Sequence, residues 1–302
     1  MTESKKGNVF IISGALIWSL FPVITILGLK GIPSTVGLLW AVFFSALAFF
    51  VVVVFRKKWS ELKNLQAWKY SFFTAIFNGV IYYGLLFYGL TKTVPANGAI
   101  VALFEVATSY IFFQIIHKEI IPKKHIWGIV LATCGALLIF IPKFGHFNIG
   151  DLYILVATFF PPFGNMYQQK ARKIISTETL LFMRNIITIP FLFIIAILLN
   201  VSPLEHPVGN AFWWLLINGL FILGLSKIFW TEGIHRMSVT KALAISSLSP
   251  FFTIIFAWLF LKQSPTYVQF LSLPLLVIGI FLLTNVKFNM TFPKMPKSPF
   301  LK

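Results

Sequence analysis

Asn78-Gly79-Val80-Ile81-Tyr82-Tyr83-Gly84 and Asn218-Gly219-Leu220-Phe221-Ile222-Leu223-Gly224 are one pattern written twice, 140 residues apart. The repeat extends in both directions. Ser34-Thr35 followed by Leu38-Leu39 returns as Ser176-Thr177 followed by Leu180-Leu181 at an offset of 142, and Gly89, Lys118 and Gly135 return as Gly233, Lys262 and Gly279 at 144. The first copy starts near Gly7, so a period this long divides nearly the whole chain into two related halves.

Composition sets the solvent. Hydrophobic residues make up 58% of the 302 positions and charged residues only 11%, with a mean hydropathy of +0.87. A water-soluble domain carries roughly a quarter charged residues. Lipid must therefore cover the surface. A window of about 20 residues, the hydrocarbon thickness divided by the helical rise, predicts ten apolar segments near 8–28, 35–55, 70–90, 94–116, 125–142, 150–169, 178–199, 211–233, 239–261 and 266–286. Each copy holds five of them. Five is odd, so the second copy enters the membrane upside down relative to the first and a cavity falls on the pseudo-twofold axis. The expected fold is an all-α membrane protein of ten transmembrane helices in two inverted five-helix repeats, residues 1–143 and 144–287, followed by a tail, 288–302, with Pro293, Pro296 and Pro299 among lysines.

The formal charge of +17 comes in short clusters between apolar segments and not as one extended patch, which argues against nucleic acid as a partner. It reads as membrane orientation. With both termini in the cytoplasm, 19 of the 25 Lys and Arg fall on the cytoplasmic side, four on the other and two inside helices. The first segment follows Lys5 and Lys6 and reads as a retained helix, because no small-residue cleavage site ends it. Between Arg56 and Lys69, Trp59, Leu62, Leu65 and Trp68 at helical spacing predict an amphipathic surface segment on anionic headgroups. The single cysteine, Cys134, permits no intrachain disulfide and reads as a small packing residue.

Three further stretches carry a family resemblance: Ala15-Leu16-Ile17-Trp18-Ser19 in the first segment, Leu248-Ser249-Pro250-Phe251-Phe252-Thr253 leading to Trp258-Leu259-Phe260-Leu261 in the ninth, and Gly279-Ile280-Phe281-Leu282 in the last. In these the chain resembles the EamA-type members of the drug/metabolite transporter superfamily over essentially its whole length. The family's usual Leu-Gly-Glu helix ending is Leu261-Lys262-Gln263 here and His117-Lys118-Glu119 in the first copy. What the resemblance implies is a ten-helix exporter or exchanger of small metabolites, amino acids among them. The expected location is a bacterial-type cell membrane.

Chemistry must lie in the few polar residues that lipid tolerates. Glu105 is the sharpest, near the middle of the fourth segment, where an ionised carboxylate costs roughly 2.5–3.5 kcal/mol on insertion scales. Two readings follow. Either Glu105 alternates between a proton and a cationic substrate group, or it is permanently paired with Lys227 or Arg184. Those two cations lie about six residues, or roughly 9 Å, from their helix ends. Snorkelling to the interface suits Arg184. Lys227, flanked by Ser226 and Trp230, is a candidate anchor for a substrate carboxylate. Weaker candidates are Asn97 and Thr108 on the Glu105 face, Ser246 and Ser249 on the ninth segment, Asn78 with its repeat-mate Asn218, and the aromatics Trp18, Tyr82, Tyr83 and Trp230. A serine or threonine in lipid can equally bond back to its own helix.

Pro22 in the first segment and Pro161-Pro162 with Gly164 in the sixth predict bends or local unwinding, and with Pro250 they are candidate hinges. Freed carbonyls survive in lipid only against protein or cavity water, so the kinks should face inward. No spacing of Cys, His, Asp or Glu suggests a metal, and no phosphate loop or nucleophile motif suggests a cofactor or an enzyme; a lipid-modifying enzyme and an ion channel are the rival classes. The expected partners are a small-molecule substrate, the bilayer and protons, with monomer and homodimer both open. Amino acids lead as substrates because a zwitterion could use Glu105 and Lys227 as opposite anchors. Hydrophobic cations come second.

Overall fold

The computed structural model describes residues 3–117, 123–138, 148–202 and 211–284, and no strand occurs among them. Among the described residues the helices group into ten passes, numbered here in chain order. Pass α1 is two pieces, Glu3–Trp18 and Phe21–Gly28; α2 is Ser34–Phe55; α3 is Leu65–Leu90. The fourth pass, α4, is again two pieces, Pro95–Ala102 and Glu105–His117, and α5 is Lys123–Leu138. In the second copy α6 is Ile149–Ala157 and Pro161–Arg172, α7 is Thr177–Leu198, α8 is Phe212–Arg236, α9 is Val239–Ser246 and Ser249–Leu261, and α10 is Tyr267–Thr284.

Seven of the passes, α1 to α4 and α7 to α9, are by themselves long and apolar enough to cross a bilayer. The other three fall short for separate reasons. The described part of α5 has only 16 residues, α6 is interrupted and its second piece is polar, and α10 carries a shorter apolar stretch, Tyr267–Leu282. Lys118 and Glu119 of the first-copy helix ending, and the tail 288–302, lie outside the described residues.

The packing exposes the internal symmetry. The main inter-copy partners are α5 with α10, α2 with α7, α4 with α9, and the exchanged pairs α1 with α8 and α6 with α3. Such an exchange is what a twofold operation between copies requires. It holds residue by residue. Gly135 of α5 lies so close to α10 that an added Cβ would sit 2.8 Å from the Leu276 backbone N, and Gly279 of α10 returns the contact, with a Cβ 2.6 Å from Ala132 N of α5. Likewise Gly89 of α3 faces Ile154 of α6, while its mate Gly233 of α8 faces Ile11 of α1. Without a hydrophobic force between helices in lipid, close backbone approach over small residues is what holds them together.

The outward surface is apolar and exposed, for example Phe55, Ile115, Trp127 and Leu198, as a lipid-facing wall must be. Cys134 is on that outer surface and not in a packed contact. The stretch from Arg56 to Lys69, read as an amphipathic surface segment with helical spacing, is not one continuous helix. It forms a short 3-10 turn, Trp59–Lys63, after which Asn64 caps α3 by accepting from the Ala67 N–H at 3.0 Å. A residue that satisfies a free helix N–H ends one segment and starts the next. From the same turn Glu61 reaches the first turn of α7, accepting from the Ser176 N–H at 2.9 Å and from its hydroxyl.

Candidate functional site

Four helices break near their middles, and their breaks surround one cavity. The interruptions are Ser19-Leu20 in α1, Leu103-Phe104 in α4, Thr158 to Phe160 in α6 and Ser247-Leu248 in α9. In three of them a proline follows within the next helical turn: Pro22, Pro161-Pro162 and Pro250 each occupy a first or second position of a second half. Proline is tolerated there because its missing N–H would have had no partner. The break in α4 has no proline; Glu105 itself opens the second half, where a helix N-terminus favours negative charge.

Freed carbonyls at these breaks are satisfied across helices. Thr253 of α9 donates to Ser19 O of α1 at 2.7 Å, and Thr108 of α4 donates to Thr158 O of α6 at 2.7 Å, the same contact made once by each copy. Helices α3 and α8 each contain a π-helical stretch, Ala75–Tyr82 and Asn218–Leu225, opening near Asn78-Gly79 in one and at Asn218-Gly219 in the other. Such π-bulges recur at functional sites.

The cavity encloses about 1090 Å³ of space free of protein atoms, its open mouth included. Its polar equipment is concentrated. Glu105 accepts from Asn165 Nδ2 at 3.4 Å, and Asn165 Oδ1 accepts from Asn78 Nδ2 at 3.3 Å, leaving Asn78 Oδ1 buried without a partner among the described residues. Gly164 makes room for that amide, since a Cβ there would overlap it. Lys227 Nζ stands 3.5 Å from the centre of the Trp18 indole and 5.6 Å from the Tyr83 ring, a cation–π seat. Trp18 is backed by Phe21, stacked at 4.3 Å. Within 4 Å Glu105 forms no ion pair with Lys227 or with Arg184.

Arg184 departs from the snorkelling expected of it. It is 3% exposed and lines the cavity. Its Nε and Nη2 donate to Asn185 Oδ1 at 3.1 and 2.9 Å, Asn185 donates to Ser45 Oγ at 2.9 Å, and Ser45 donates to Leu223 O, in the π stretch of α8, at 3.0 Å.

Of the residues singled out in the sequence, Glu105, Lys227, Asn78, Tyr82, Tyr83, Trp18, Trp230, Ser246 and Ser249 line the cavity, as do Pro22 and Pro161. Three others are turned elsewhere. Asn97 accepts from Gln269 of α10 at 2.8 Å, Thr108 seals the α6 break, and Asn218 donates to Thr25 of α1 at 2.8 Å. Pro162, Gly164 and Pro250 flank the breaks without lining the cavity. Sequence reasoning missed Asn165 and Gln168, whose signal was two amides three residues apart just after Pro161-Pro162, and it misplaced Arg184.

The model of the EamA-like transporter family matches residues 5–141 and again 148–285. The chain belongs to the EamA-like transporter family. Relatives of this EamA-like chain include Uncharacterized transporter YoaV of Bacillus subtilis, 24% identical over 91% of this chain and 95% of that one. Another is Uncharacterized transporter sll1164 of Synechocystis sp., 25% identical over 45% of this chain and 40% of its own length, so that match spans less than half of either protein. A solved crystal structure shares the fold with a TM-score of 0.70 over 93% of this chain and 97% of that one, at 15% identity. This EamA-like protein is a multi-pass membrane transporter.

Proposed function

We propose that this transporter exports or exchanges a small zwitterionic metabolite of the amino-acid class by alternating access, with a proton as the coupling ion. One observation carries the reading: Glu105 and Lys227 face a common cavity, yet each holds neutral partners and not the other. Opposite charges left apart in a low-dielectric cavity are anchors waiting for a ligand that carries both signs. An ammonium meets Glu105, and a carboxylate draws on Lys227. Glu105 is the one acid among the described residues that line the cavity, so it is the group on which a proton and an ammonium compete. The broken helices α1, α4, α6 and α9 supply the hinges, with Pro22 fixing where α1 can bend, Pro161, Pro162 and Gly164 where α6 can, and Pro250 where α9 can.

The test is export from cells expressing wild type, Glu105→Gln or an empty vector, with intracellular and medium pools compared. Release of a defined amino acid by wild type, lost in Glu105→Gln, supports the proposal. Equal release by the variant reduces Glu105 to a packing charge.

The aromatic walls, Trp18, Tyr82, Tyr83 and Trp230, favour a second reading, export of hydrophobic cations. Lys227 opposes it by occupying the Trp18 face. Lys227→Gln therefore separates the two: it abolishes amino-acid export under the first reading and leaves or improves resistance to cationic dyes under the second.

A further inference from the structure

The cavity holds one more positive charge than a simple zwitterion needs. Among the described residues lining it there is one acid, Glu105, and two bases, Lys227 and Arg184. Arg184 has the stranger surroundings. It is 3% exposed, and its partner is the neutral Asn185, whose own bonds lead on to Ser45 and to a backbone carbonyl. Nothing along that relay carries a negative charge. Removing an unpaired guanidinium from water is strongly unfavourable, and an intramembrane charge that the protein does not neutralise is kept for a ligand or a path.

The geometry also leaves it free to act. Asn185 Oδ1 occupies the edge of the guanidinium between Nε and Nη2, while Nη1 has no partner among the described residues. The Nη1–Nη2 edge is thus the fork left open, and a guanidinium fork matches a carboxylate with two parallel hydrogen bonds. Lys227 stands within electrostatic range of both Arg184 and Glu105. The two cations repel each other until an anion lies between or beside them.

We infer that Arg184 forms a second anion subsite, so that the preferred substrate carries two acidic groups and one ammonium, a small amino dicarboxylate with net negative charge. The ammonium meets Glu105, one carboxylate meets Lys227 and the other closes on the free edge of Arg184. This rests on the amino-acid reading above for the ammonium, though not for the anion subsite.

The experiment is titration calorimetry on the purified full chain in detergent, with L-aspartate, its neutral isostere L-asparagine, and succinate, which has both carboxylates but no ammonium. Wild type should bind aspartate at least tenfold more tightly than asparagine, and the ratio should collapse to about one in Arg184→Gln. Equal affinities in wild type, or a ratio that survives in a folded Arg184→Gln protein, would overturn the inference. Should that variant fail to fold, Arg184→Lys decides, because it keeps the charge and loses the fork: aspartate should weaken several-fold with asparagine unchanged, and an equal weakening of both counts against the subsite. Succinate separates the two proposals. If it binds in an Arg184-dependent way while neither amino acid does, the amino-acid reading fails and the anion subsite stands; if none of the three binds, the subsite fails as well.

Discussion

Asn78 donates its side-chain amide to Asn165 at 3.3 Å, and the contact recurs 140 residues on, where Asn218 donates to Thr25 at 2.8 Å. Thr25 and Asn165 are themselves 140 residues apart, so both ends of the contact obey the repeat. The two versions then diverge. The first leads through Asn165 to Glu105 in the cavity; the second ends at a threonine hydroxyl away from it. An inverted duplication supplies two equivalent sites, and here only one of them holds the acid.

That asymmetry separates two variants. Asn165→Ala removes one of the hydrogen-bond donors to the Glu105 carboxylate, the other being Tyr82; a bond to a charged group is worth about 1.5–3 kcal/mol, and its loss should slow Glu105-dependent export by tenfold or more. Asn218→Ala, at the symmetric contact, should lower the melting temperature in detergent while leaving the export rate per folded molecule near wild type. Paired melting and transport measurements that move together in both variants would contradict the division.

The cross-helix hydroxyls at the breaks should behave as structural parts. Thr108→Val and Thr253→Val keep the side-chain shape but strand the carbonyls of Thr158 and Ser19. Each should destabilise the protein by about 1–3 kcal/mol, the cost of a buried unsatisfied group, and serine at either position should restore most of it. Thermal unfolding followed by circular dichroism reads both effects.

The α5–α10 contact predicts a contrast among glycines. Gly135→Ala and Gly279→Ala push a methyl against backbone of the opposite helix, which cannot swing aside as a side chain can. Overpacking of this kind costs about 1–3 kcal/mol. Gly84→Ala meets nothing within 4 Å and should be neutral or slightly stabilising, since alanine is the better helix former. Melting temperatures of the three variants check the ranking.

Acid should loosen the joint between Glu61 and α7. Partial burial alone would raise the Glu61 pKa, but hydrogen bonds from Ser176 and Thr179, the Ser176 N–H and Lys58 outweigh it and hold the carboxyl below its ordinary value. A depressed folded-state pKa means that its stabilising share is complete above the unfolded value, about 4.3 for Glu, and disappears as pH falls through the folded one. The melting difference between wild type and Glu61→Gln should therefore be present at pH 7 and shrink below pH ~4. A difference that stays constant down to pH 3 would mean that the carboxylate's charge plays no part.

Much of the architecture was legible in the residues alone. The 140- to 144-residue offsets disclosed the duplication, the apolar windows located the passes, and Pro22, Pro161-Pro162 and Pro250 marked three of the four breaks because a proline can only begin a helix or bend it. Glu105 announced itself by its cost in lipid. The fourth break, at Leu103-Phe104, carries no comparable signal and became visible only where α4 meets its neighbours.

Which way each polar side chain turns was decided by tertiary structure. Asn97 and Thr108 share a helical face with Glu105, yet one bonds to α10 and the other seals α6. Arg184 could have reached the interface by its length, and packing of α7 against α2 instead holds it inside, on Asn185 and Ser45. In water a helix declares its buried face by the segregation of apolar and polar residues. In a bilayer the lipid is as apolar as the protein interior, so the chain's own sequence determined what enters the membrane, and only the packing of helix on helix decided which residues meet in the cavity.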